Sequence, residues 1–134
     1  MIRFSVLASS SRGNATVISG GGTHVLVDTG ISAQRIRKGL AECDLSVASL
    51  SGIFFTHEHQ DHICGLGVLS KKDTLKLYCS RYLSQDLKGM APSAVFTYLE
   101  PGQEVQVGAL KVTPFCVSHD ALDPLGYVFE CDGV

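Results

Sequence analysis

The chain has 134 residues, 45% of them hydrophobic and 18% charged, which supplies one buried core and argues against two domains or a disordered chain. Eleven Lys and Arg against thirteen Asp and Glu give a formal net charge of -2, excluding a basic nucleic-acid coat or a polybasic membrane binder, though not a local basic patch. No run approaches the roughly 18 apolar residues of a membrane span and the start lacks a signal-peptide pattern, so a cytoplasmic protein with no membrane partner is expected.

In chain order, residues 4–8 read as a strand and Ser9-Ser10-Ser11-Arg12-Gly13-Asn14 as a polar turn. Residues 15–19 and 24–28 flank Gly20-Gly21-Gly22 as a hairpin with a longer loop. After Thr29-Gly30, the apolar positions Ala33, Ile36, Leu40 and Cys43 share one helical face, with Ser32 as N-cap and Arg35, Arg37 and Lys38 on the solvated side. Residues 52–55 form a short buried strand, and residues 64–70 a helix carrying Leu66 and Leu69. A strand over 75–79 leads to a helix capped by Ser80, with Leu83 and Leu87 inward and Gly89 at its end. Strands are expected over 95–98, 104–107, 110–117 and 126–131, with Pro101-Gly102 and Asp123-Pro124 as turns. The order predicts a mixed α/β domain spanning residues 1–134, with a largely antiparallel or mixed sheet.

Three of the five histidines, His57, His59 and His62, fall within six residues beside Asp61, directly after an apolar strand. His57 and His59 are two apart, so an extended backbone points both imidazoles one way, and Asp61 and His62 approach after a short turn. Imidazole and carboxylate together suit zinc and similar divalent ions, whereas helical zinc motifs repeat their ligands four residues apart. The plainer alternative is a polar loop whose histidines cap strand ends. His24 stands alone and reads as a surface residue. The five cysteines are odd in number and contain no Cys-x-x-Cys pair, which predicts reduced, mostly buried thiols; a ligand role for Cys64 or Cys116 is the weaker reading.

Thr56-His57-Glu58-His59-Gln60-Asp61-His62 resembles the His-x-His-x-Asp-His signature of the metallo-β-lactamase superfamily. Val25-Leu26-Val27-Asp28-Thr29-Gly30 is similar to that family's early strand ending in Asp and Gly. The turn 9–14, and Val117-Ser118-His119-Asp120-Ala121 followed by residues 124–129, resemble one branch of it, the WalJ/YycJ-like predicted exonucleases and phosphodiesterases. The resemblance implies an αββα sandwich of which this chain holds the N-terminal βα half. It implies that His57, His59 and His119 hold a first metal ion, and that Asp61 and His62 begin a second site with Asp61 also handling protons. Asp28 would orient the ligands from behind; a simple strand-ending turn is its alternative. Asn14, with the amides around it, would contact substrate, or be part of a plain Ser/Gly turn.

Zinc is the ion expected, with manganese or iron as alternatives, and up to two ions. The activity implied is metal-dependent hydrolysis of a phosphodiester in DNA or RNA. The alternatives are hydrolysis of a small cyclic phosphate, lactone or thioester, and a non-catalytic metal-binding half-domain. A full domain of this family has a further bridging Asp and a last His, which the residues up to Val134 do not supply; Asp132 is not assigned. A C-terminal truncation is therefore expected, with the second site incomplete. An uncovered sheet face would then favour a homodimer or a complementary C-terminal half.

Overall fold

In this computed structural model, which describes residues 2–10, 13–56, 60–116 and 125–131, the first three apolar runs form an antiparallel meander. Strand β1 (Ile2–Ser10) pairs with β2 (Gly13–Gly20), and β2 with β3 (Thr23–Val27). The turn between β2 and β3 is Gly21-Gly22 with φ of 58° and 81°, the signs a mirror-image two-residue hairpin turn requires and glycine supplies without strain. Most of the expected polar turn before β2 is strand instead: Ser9 pairs with Asn14 and Ser10 with Gly13. Ladder pairing satisfies those backbone groups, and strand propensity is too context-dependent to forecast such an extension.

The chain then alternates helix and parallel strand. Helix α1 (Ala33–Glu42) is capped by Ser32, whose hydroxyl accepts from the Arg35 N–H at 3.2 Å, and buries Ala33, Ile36 and Leu40 as the periodicity predicts. Arg37 on its outer side pairs with Asp73 at 3.0 Å. Strand β4 (Gly52–Phe54) follows, then α2 (Gln60–Ile63), where no helix was expected, and α3 (Leu66–Leu69), shorter than the helix expected over 64–70. Strand β5 (Lys76–Cys79), helix α4 (Arg81–Met90) and strand β6 (Val95–Tyr98) complete a six-stranded sheet in sequential order, parallel from β3 to β6. Strands β7 (Val105–Val107), β8 (Leu110–Cys116) and β9 (Leu125–Cys131) form a separate antiparallel three-stranded sheet.

Two cores result. On the helix side of the large sheet, Leu26, Ile53, Phe55 and Leu77 pack with Ile36, Leu40, Leu66, Leu83 and Leu87. On its other side, Val25 and Phe54 pack with Leu110, Val112 and Leu125 of the small sheet. Strand β4 is covered on both faces, which is why Ile53-Phe54-Phe55 is continuously apolar rather than alternating. Each fully buried Leu, Ile or Phe contributes about 1.5–3 kcal/mol.

The face expected to lie bare is therefore covered in part, because the chain folds back after β6 into its own small sheet. The cover reaches Ile2 at the start of β1 and stops short of Phe4 and Val6. Phe4 and Val6 are 70% and 52% exposed, and Phe4 pairs with Ile18, which packs on the inter-sheet core, so Phe4 shares that inner face. No helix among the described residues is long and apolar enough to cross a membrane.

Candidate functional site

Asp28 directly follows β3 and takes a left-handed backbone conformation, φ 65°, which costs Asp and Asn least among non-glycine residues. Its N–H still donates to the Phe54 carbonyl at 2.8 Å, while the kink carries its carboxylate across the end of β4. There Oδ1 accepts from the Thr56 N–H at 2.9 Å and Oδ2 accepts from the Thr56 hydroxyl at 2.7 Å. Oδ2 also lies 2.7 Å from Nδ1 of His62 on α2. The two side chains are only 5% and 12% exposed, so these contacts act with little competition from water.

Backbone bonds tie the same elements together. The Thr29 N–H donates to the His62 carbonyl at 2.7 Å, the Gly65 N–H to the Thr29 carbonyl at 2.7 Å, and the Gly30 N–H to the Asn14 carbonyl at 2.8 Å. Gly65 makes the approach possible: a Cβ there would stand 2.2 Å from the Ile31 carbonyl oxygen. Because its N–H bonds to Thr29 outside any helical ladder, helix is interrupted between α2 and α3, and the helix expected over 64–70 starts only at Leu66.

The contacts of His62 assign its tautomer. A carboxylate only accepts, so the proton sits on Nδ1 and is donated to Asp28 Oδ2. In the neutral imidazole Nε2 is then the acceptor, in keeping with its 3.5 Å contact to the amide nitrogen of Asn14. A histidine held by a carboxylate through one nitrogen presents the other, neutral and oriented, as a divalent-metal ligand. The chemistry of Asp28 and His62 fits the metal that the sequence resemblance implies.

The structure thus brings Asp28, His62 and Asn14 together, on β3, α2 and β2. Asp61 is the neighbour of His62 on α2. His57, His59 and His119 lie outside the described residues. Among the described residues, no three His, Cys, Asp or Glu side chains converge on a metal-sized space.

Other expectations need correction. Cys64 and Cys116 are exposed rather than packed, and only Cys79 and Cys131 are buried. Ile63 and Leu66 take the core positions beside Cys64, and Cys116 ends β8. His24 is half-buried, with Nδ1 2.7 Å from the Ser19 hydroxyl, because the hairpin register places the two opposite each other.

Two residues without an expected role emerge. Thr56 joins Asp28 to the chain entering His57; a Thr between an apolar strand and a histidine cluster was the available signal. Tyr127 on β9 donates its hydroxyl to the Phe55 carbonyl, while the Leu125 N–H donates to the Thr56 carbonyl at 3.0 Å. The Tyr127 phenol is pushed well above its ordinary value of 10.0, first by burial and then by the negative charge of Asp28, so it remains a neutral donor. Nothing in the local sequence marks either long-range bond.

The profile described as "Beta-lactamase superfamily domain" matches residues 23–134. The chain is 37% identical over 132 residues to "Exodeoxyribonuclease YycJ" of Bacillus anthracis, covering 96% of this chain and 50% of that one. It is 34% identical over 116 residues to "Ribonuclease Z" of Pyrobaculum islandicum, covering 83% of this chain and 37% of that one. Among solved structures, "Rm3 metallo-beta-lactamase" superposes with a TM-score of 0.78 at 19% identity, over 97% of this chain and 55% of that one, a likeness of fold. The chain therefore spans about half the length of the exodeoxyribonuclease it matches, and less of the ribonuclease.

Proposed function

The chain belongs to the metallo-β-lactamase superfamily, and on that premise we propose that it carries the metal-binding portion of a hydrolase acting on phosphodiester bonds of DNA or RNA. Support for the substrate class comes from the relatives named for exodeoxyribonuclease and ribonuclease activity. The observation that carries the reading is the hold of Asp28 on His62 Nδ1 at 2.7 Å, which orients the imidazole and makes Nε2 its ligating nitrogen.

In this reading His57, His59 and His119 hold one ion, and Asp61 and His62 contribute to a second. Zinc is the first expectation, with manganese and iron as alternatives. Bound divalent ions supply positive charge that polarises a phosphoryl oxygen and makes an attacking water more acidic. Asp28 keeps the His62 imidazole in one tautomer and one orientation. Asn14, whose amide nitrogen lies 3.5 Å from Nε2, would turn its N–H groups to a phosphoryl oxygen once Nε2 ligates the ion. Asp61 takes or relays a proton of the attacking water. Further ligands, and a cover for exposed Phe4 and Val6, would come from a second copy or from a complementary C-terminal half.

Cleavage of end-labelled DNA and of RNA by the polypeptide carrying these 134 residues, loaded with zinc or manganese, tests the reading. His59→Ala and Asp61→Asn should each slow cleavage by at least about 100-fold. Variants that cleave as fast as the wild type would overturn it.

A further inference from the structure

The geometry points to Tyr127 as a positioning residue: its hydroxyl, with the Leu125 N–H, clamps the Phe55 and Thr56 carbonyls at the end of β4 and so fixes the chain that enters His57. The inference rests on the metal-site reading above, and goes beyond it by assigning a part to the small sheet.

Three observations converge. First, the carbonyls of two successive residues are taken by one strand: Phe55 by the Tyr127 hydroxyl and Thr56 by the Leu125 backbone. The other side of the same peptide unit is also held, since the Thr56 N–H and hydroxyl both donate to Asp28. Thr56 is thereby gripped from β3 and from β9 together. Second, β9 begins where residues 117–124, which include His119, end in sequence, and Thr56 is the residue before His57. One clamp therefore joins the two stretches of chain that carry the first-metal histidines. Third, the Tyr127 ring sits in an aromatic cluster, 5.2 Å from the Phe54 ring in an edge-to-face contact and 6.2 Å from that of Phe129. The ring supplies packing and the hydroxyl supplies the clamp, and the two contributions separate chemically.

Tyr127→Phe removes the clamp and keeps the ring. Phe129→Leu loosens the same cluster, where Phe129 lies 5.5 Å from Phe54, and leaves the hydroxyl in place. Cobalt(II) is titrated into each metal-stripped 134-residue chain and followed by its visible absorption, with thermal unfolding of the metal-free chains measured alongside. Y127F should bind cobalt about tenfold more weakly than wild type, with an altered absorption envelope, as loss of an outer support does to a metal site. F129L should unfold at lower temperature yet bind cobalt within about twofold of wild type, which separates positioning from general stability. Y127F binding with wild-type affinity and spectrum overturns the clamp alone, as does F129L weakening cobalt as much as Y127F. A wild-type chain that takes no cobalt overturns the metal-site reading and the clamp with it.

Discussion

Asp28 holds three donors at once, and its charge is what makes the arrangement strong. Asp28→Asn keeps the tolerance for φ 65° and the size of the side chain, and removes the charge that His62 Nδ1 and Thr56 share. The expected result is a loss of about 1–3 kcal/mol in stability by urea unfolding. Zinc affinity by calorimetric titration should also fall, by at least about tenfold. Unchanged zinc affinity would mean that Asp28 only ends a strand. At this scale Asp28 was legible only through the family resemblance of its strand-ending Asp-Thr-Gly; the residues alone left a simple turn open. Thr56 and Tyr127 were legible as residues but not as partners: their bonds cross 28 and 72 positions of sequence, and no local pattern encodes them. The cysteines misled for a related reason. A small apolar side chain with apolar neighbours fits the core or the surface equally well, and the turn between α2 and α3 put Cys64 outside.

Among the elements, the helices were the most readable, since caps and apolar spacing are local. Ser32 and Ser80 accept from the Arg35 and Leu83 N–H groups at 3.2 and 3.1 Å. Ser32→Ala and Ser80→Ala should each cost about 1 kcal/mol in urea unfolding without changing metal uptake. The break between α2 and α3 was unreadable, because it depends on Gly65 meeting the loop after β3. Gly65→Ala would press a methyl group against the Ile31 and Thr29 carbonyls and should destabilise by about 1–3 kcal/mol. A fully stable G65A protein, by the same urea measurement, would show that this approach is not needed. Strand ends were read too short at β1 and β2 because pairing, not composition, decided how far the ladder runs.

For the whole molecule, the sequence indicated an α/β sandwich portion, and the family match and fold likeness agree. It did not indicate that the small sheet would cover Val25 and Phe54, since the packing of two sheets is a long-range outcome. The two cores, Cys79 in the helix-side one and Tyr78 and Tyr127 against the inter-sheet one, together set the response to alkali. Burial pushes the Cys79 thiol from 9.0 up to about 12, and raises the phenols of Tyr78 and Tyr127. Above pH 9 the unfolded thiol loses its proton while the folded one keeps it, so the unfolded state binds fewer protons and stability falls from about pH 9 towards pH 12. The urea midpoint should decline over that range, and less steeply in Cys79→Ala; a flat profile in the wild type would contradict the buried placement.

The claim on which the account turns is that histidines far apart in sequence share one metal ion. Zinc bound per chain, measured by elemental analysis after dialysis on wild type, His57→Ala and His119→Ala, tests it most directly. The account predicts at least one zinc per wild-type chain and an equal loss in both variants. A His119→Ala chain that retains the full wild-type zinc load would contradict it.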